Sequence, residues 1–214
     1  MTAKRTTFAS QENGFRFRNA FDPRGLVRAP LLKKIYPRPL VMGLCGGMCY
    51  AALDYQIIGR PIPSFRSVDG LDPRLARYLY RRQFQSLSPL VLLRLVDWIL
   101  RSDAYVGMKT CAEELPKIRR LLDNGLPAVL CLVRTRGLAD PTINHQVTAV
   151  GYDLLPDATI QLFLYDPNHP GQETWLTMPL VWYSGAEMYQ STGEVLRGLF
   201  IMPYAPAQPP LVED

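Results

Sequence analysis

Apolar and polar positions change their period once along this chain, near residue 126. Before that point apolar residues recur at helical spacing: Met48, Ala51, Ala52 and Tyr55 in one run that stops at Gly59-Arg60-Pro61, and Leu92, Leu95, Val96 and Ile99 on the buried side of another. Two helix starts are marked by a capping residue followed by proline, at Asp72-Pro73 and Ser88-Pro89. A further helix stops at Leu121-Leu122-Asp123-Asn124-Gly125, where Gly125 suits the left-handed position beyond a helix end. Pro116 sets the start of its regular part near Leu115. Beyond residue 126 the pattern is that of strands, over 127–133, 145–152, 159–165, 173–178 and 196–202, with turn residues such as Pro156-Asp157 between them. Helices first and antiparallel strands second predict an α+β fold.

The flanks of this pattern are less regular. Residues 1–13 are polar and read as a flexible N-terminus, 14–204 as a single domain, and the proline-rich 205–214 as a disordered tail. Phe15, Phe17 and Phe21 fit an extended segment laid onto the core. Residues 23–39, rich in proline and basic residues, read as a long connection wrapping the surface.

With 214 residues of which 48% are apolar, the chain can bury one good core and is short for two. The net charge of +5 is not concentrated: the pairs Arg81-Arg82 and Arg119-Arg120 fall in amphipathic helices, which argues for solvated faces and against a specific nucleic-acid surface. No apolar run is long enough to cross a bilayer and no signal-peptide pattern follows Met1, so a cytoplasmic location without membrane association is expected. In that setting the four cysteines are reduced, and Cys49, Cys111 and Cys131, among apolar neighbours, read as small core residues.

Cys45 is different. It lies in Gly43-Leu44-Cys45-Gly46-Gly47-Met48, at the mouth of a helix whose unpaired N–H groups and dipole favour a thiolate. A base is available in Asn144-His145-Gln146-Val147, where a histidine opens a strand, and the next strand ends in Tyr165-Asp166-Pro167. Antiparallel pairing of those strands brings the start of one beside the end of the other, so His145 and Asp166 are expected to touch. Cysteine, histidine and carboxylate then form an activated thiol, a general base and an orienting acid. His169, in Asn168-His169-Pro170, is the alternative base. The spacing of Cys45 and Cys49 is weak for a metal site, and neither a metal nor a cofactor is expected.

These motifs resemble the papain-like cysteine peptidase superfamily, and within it the bacterial peptidases that cut double-glycine leader peptides. The resemblance is carried by Cys45-Gly46, by His145 on the Val-rich strand to Val150, and by Asp166-Pro167. It implies a papain-like fold, with a helical part bearing the nucleophile at a helix N-terminus packed on a C-terminal antiparallel sheet. It assigns Cys45 as nucleophile, His145 as base and Asp166 as orienting acid, acting on a peptide or protein, or on a small amide or ester. Those peptidases place a glutamine shortly before the nucleophile to donate to the oxyanion, and Arg38-Pro39-Leu40-Val41-Met42 offers none. The backbone N–H of Cys45 can serve, with a second donor from Gln11, Asn13 or Asn19; Asn19 leads, because Phe17 and Phe21 can anchor it. Gly46, Gly47 and Gln146 are placed on the same cleft. A non-catalytic binding module of the same fold is the rival reading, and a thiol-redox role for Cys45 with Cys49 a third.

Overall fold

The computed structural model describes residues 3–21, 43–137 and 139–212. β1 (Ala3–Arg5) and a single-turn α1 (Ser10–Asn13) precede α2 (Cys45–Ile57), α3 (Pro73–Ser86) and α4 (Pro89–Leu100). A helix in three parts follows: α5 (Asp103–Lys109), a π turn (Thr110–Glu114) and α6 (Leu115–Asp123). The strands are β2 (Ala128–Val133), β3 (His145–Leu154), β4 (Thr159–Tyr165), β5 (Glu173–Pro179), β6 (Met188–Gln190), β7 (Val195–Leu196) and β8 (Gly198–Ile201). The architecture is α+β, with helices before an antiparallel sheet. The connection read at 23–39 lies outside the described residues.

Strand order explains the shape of the sheet. The order is β7-β6-β5-β4-β3-β2-β8, and all pairs are antiparallel. β7 and β8 thus stand at opposite ends of the order, yet only Arg197 separates them in the chain. One residue spans only about 3.5 Å, so the sheet has to curl until its two edges meet. The single strand read over 196–202 is broken at that corner. Arg197 holds it, with its N–H on Val133 O at 2.9 Å and its guanidinium on Asp103 and Thr135 O.

The curl creates two cores. Leu130, Leu132, Val147, Leu162 and Leu176 fill one face of the sheet and are closed off by Leu115, Ile118 and Leu122 of α6. The other face, including Val129, Cys131, Val150 and Phe200, packs on α2, α3 and α4. α2 is buried from Cys45 through Tyr55, which is why its sequence has no polar side. Phe15 and Phe17 are buried against it, with Phe21 partly buried beside them. Among the described residues no helix is long and apolar enough to cross a membrane.

Several expectations need correction. The N-terminal arm is anchored from residue 3: β1 pairs with β3 at Ala3↔Asp153, Lys4↔Tyr152 and Arg5↔Gly151, and Phe8 is buried. Gly151 permits this approach, since a Cβ there would stand 2.5 Å from Lys4 O. The regular helix does start at Leu115 as expected, but helical chain precedes it from Asp103, joined through a π turn that ends just before Pro116. On α4 the buried stripe is Val91, Leu95, Trp98 and Ile99, while Leu92 and Val96 are exposed. That helix is apolar nearly all round, so period alone does not select its inner face.

The tail read as disordered over 205–214 is instead tied down as far as it is described. Asp54 and Arg82 form an ion pair at 2.8 Å with both side chains almost fully buried. Asp54 also accepts from Tyr78 and Tyr204 hydroxyls at 2.7 and 2.9 Å and from Ala207 N at 2.9 Å, and Arg82 donates to Ala205 O. Further along, Tyr55 donates to Pro210 O at 3.0 Å, and Pro209 is buried. The proline-rich composition removes N–H donors but leaves every carbonyl able to accept, and these buried groups use them. Asp54→Ala leaves Arg82 buried without a counter-charge, and is expected to cost about 3–5 kcal/mol in denaturant unfolding. It should also open the segment after Tyr204 to proteolysis.

Candidate active site

Four segments converge on Cys45, and the first is the start of its own helix. Leu44 has no capping side chain, and two of the N–H groups at this helix start are satisfied from elsewhere in the fold. Asn19 Oδ1 accepts from Leu44 N at 2.6 Å, and Gln83 Oε1, from α3, accepts from Gly47 N at 2.8 Å. Two glycines at a helix start are unfavourable by propensity, each by about 1 kcal/mol against alanine. Their presence follows from crowding: a Cβ on Gly47 would lie 2.2 Å from the backbone oxygen of Leu79, and one on Gly46 would lie 2.2 Å from Gln146 Oε1 and 2.3 Å from Ser86 Oγ.

The β3–β4 pair supplies the second and third segments. With Thr148 opposite Tyr165, the first residue of β3 and the residue after β4 come to the same end of the sheet. His145 Nε2 lies 2.7 Å from Asp166 Oδ1, and both side chains are buried. Nδ1 is then the ring nitrogen left for Cys45, with which His145 makes its other side-chain hydrogen bond. Asp166 is fixed from three directions. Besides His145, Asn168 N donates to Oδ1 at 2.8 Å and Gln190 Nε2 donates to Oδ2 at 2.6 Å.

The N-terminal arm is the fourth segment. Asn19 N donates to Pro167 O at 3.0 Å, and Asn19 Nδ2 donates to Asn168 Oδ1 at 3.2 Å. Asn19 therefore ties the turn before Cys45 to the loop that carries Asp166.

The electrostatics follow from these contacts. Burial pushes the Cys45 thiol up, but the His145 hydrogen bond and charge, together with the N–H groups of Gln146 and Gly46, outweigh it and bring Cys45 below the ordinary thiol value. For His145 burial acts downward, and the hydrogen bonds and charges of Asp166 and Cys45 raise it overall. Burial would raise Asp166 as well, yet its bond and attraction to His145, with Asn168 N and Gln190, hold it well below the usual carboxylate range. These directions, Cys45 and Asp166 down and His145 up, all favour a thiolate beside an imidazolium beside a carboxylate. By contrast, burial pushes the Cys49 and Cys131 thiols up, and all four cysteines are free.

Cys45 and His145 open onto a cavity of about 380 Å³. Its lining includes the polar Asn19, Gln83, Asn144, Gln146 and Asn168, the charged Arg134, and the apolar Leu87, Leu92 and Ile143. Leu92 thus leaves the core to line the cavity. Of the residues proposed from sequence, Cys45, His145, Asn19 and Gln146 line this cavity, and Asp166 stands behind His145. Gly46 and Gly47 form the helix turn beneath it. His169, the alternative base, is not on the cavity wall. Its backbone N–H closes a turn onto Asp166 O at 2.9 Å, and Asp166 is already bonded to His145 through Oδ1. Among the described residues no group of three or more His, Cys, Asp or Glu could hold a metal ion.

Sequence reasoning missed Gln83, Gln190 and Arg134. Gln83 sits on the buried stripe of α3 with Leu75, Tyr78 and Leu79, and a lone amide on such a stripe is a readable signal. Gln190 lies on a three-residue strand with no usable period. Its Oε1 accepts from Arg134 at 3.0 Å, so Arg134, Gln190, Asp166 and His145 form one chain of contacts ending at Cys45.

Two outcomes follow. Gly47→Ala forces α2 away from the Leu79 backbone and is expected to destabilise the fold by about 1–3 kcal/mol, read from the denaturant midpoint. Gln190→Leu removes a donor to Asp166 and weakens support for the imidazolium. The pH profile of Cys45 alkylation should then move upward by roughly half a unit to one unit, while unfolding remains cooperative.

Comparison of the chain with protein-family models, with curated proteins and with solved structures finds no match.

Proposed function

We propose that this protein is a thiol-dependent hydrolase or acyl transferase of papain-like architecture, with Cys45 as nucleophile, His145 as general base and acid, and Asp166 as the orienting carboxylate. The observation that carries the reading is His145 held between two partners, Asp166 at 2.7 Å on Nε2 and Cys45 on its other side, all three buried at the mouth of α2. A core cysteine has no need of a buried imidazole whose own partner is a buried carboxylate. Such a set performs acyl transfer.

In this reaction the thiolate attacks an amide or ester carbonyl, and the C=O electrons move onto oxygen. When the oxyanion collapses, the imidazolium gives its proton to the leaving amine or alcohol, and an acyl-enzyme thioester remains. Neutral His145 then takes a proton from water or an incoming amine, which attacks the thioester and releases Cys45. The oxyanion donors in this scheme are the backbone N–H of Cys45 and the carboxamide of Asn19, whose Nδ2 carries a second hydrogen besides the one on Asn168. Asn19 takes the part that a glutamine ahead of the cysteine plays in the peptidases this chain resembles. The likeness in layout, a nucleophile-bearing helix packed on a curled antiparallel sheet, supports the assignment of architecture.

The test is the alkylation rate of Cys45 against pH, with the other three cysteines replaced by alanine or serine. Because Cys45 is shifted down and His145 up, the thiolate is the main species between those two values. The rate should reach its plateau below the free-thiol pKa of about 8.5. His145→Ala should return the midpoint to the ordinary thiol range or above it. A Cys45 that titrates as an ordinary thiol in both proteins overturns the reading in favour of a cleft that binds without reacting.

A further inference from the structure

We propose that Gln83 and Gln146 form a subsite for an amide group beside Cys45, with Gln83 Nε2 donating to its C=O and Gln146 Oε1 accepting from its N–H. The inference rests on the acyl-transfer reading above and names the chemistry of the group next to the bond that is broken.

Both glutamines line the cavity with Cys45, and both are 4% exposed. Gln83 has a fixed orientation, because Gly47 N can only donate and so holds Oε1, which leaves Nε2 as the end free to donate. Gln146 presents the opposite character. Its Oε1 is buried and meets no hydrogen-bond partner among the described residues. A buried amide oxygen without a donor is unfavourable, and a native structure retains one where something else is to fill it. Oε1 rests against Gly46 in the structure, and because the last torsion of a glutamine is broad the carboxamide is able to turn toward the cavity without a change in its other torsions.

The two glycines after Cys45 fit the same purpose. Gly46 makes room for Gln146 Oε1, which a Cβ would meet at 2.2 Å, and Gly47 makes room for Gln83, whose Cβ would be met at 3.2 Å. With the Gln146 carboxamide turned, one donor and one acceptor meet at the cavity and complement a single amide group. That group is either a peptide unit of a main chain or a side-chain carboxamide, and an ester of the same shape lacks the N–H. A site built to pair a buried polar group discriminates strongly against the analogue that leaves it unpaired.

The experiment uses the full chain and three chloromethyl ketones of equal length, whose tails carry an N-methyl amide, a primary carboxamide or a methyl ester. In each case the Cys45 thiolate displaces chloride, and labelling is followed by intact mass. The better amide probe should label Cys45 at least about tenfold faster than the ester. Whichever amide is faster identifies a peptide unit or a side-chain carboxamide as the source. In Gln146→Met and in Gln83→Met the preference should fall to near unity. Equal rates for ester and both amides in the unmodified protein overturn the subsite, as does a preference that survives in both variants. Methyl methanethiosulfonate, too small to reach the subsite, separates the two ideas. Its rate and its dependence on His145 report the thiolate pair alone, and the amide-to-ester ratio decides the subsite whichever way that result falls.

Discussion

The antiparallel register of β3 against β4 is the constraint on which the site depends. His145 is the first residue of β3 and Asp166 the first after β4, so the pairing that places Thr148 opposite Tyr165 also sets the imidazole against the carboxylate. A slip of one residue would turn every β3 side chain to the other face. Both faces are buried, which makes such a slip costly and the contact secure. α2 is then pressed onto the same sheet face by residues that have no polar alternative, and it arrives with Cys45 in its first turn.

Around that pair the fold relies on amides more than on charges. Asn19, Gln83 and Gln190 each hold a backbone group or Asp166, and Asn168 holds Asn19. A carboxamide offers donor and acceptor together and carries no net charge to desolvate, so it can be buried next to an ion pair and, as Gln190 does for Asp166, donate to its charged form. Two ionic clusters lie farther off. Asp54 with Arg82 fastens the tail, and Glu114 with Arg94 and Lys117 fastens the helix before β2, its carboxylate also accepting from Ile201 N.

Much of this was legible in the sequence because it rests on local signals. Prolines after capping residues placed α3 and α4, and the change of period placed the longer strands. Cys45, His145 and Asp166 could be named because each stands at an element boundary marked by glycine, asparagine or proline. What escaped is non-local or short. β1, β6 and β7 have two or three residues each, too few to show a period, and they are strands only because a neighbour supplies the other half of the ladder. Arg197 reads as one residue inside a strand, and it becomes a corner only when the sheet closes. The tail reads as disordered by composition, since carbonyl acceptors leave no mark in a sequence.

The closure at Arg197 also bears on the order in which the molecule can be completed. β8 pairs with β2, some seventy residues earlier, and β7 pairs with β6, which carries the glutamine that steadies Asp166. Contacts of such separation are slow to form, and the sheet cannot seal until the chain through Ile201 is present. A ribosome-bound chain that already contains Cys45 and His145 therefore lacks the last support of its carboxylate. Cys45 reaches its full setting only when the final strand has joined the edges, so the surroundings of this thiol are completed last, long after the residue itself is made.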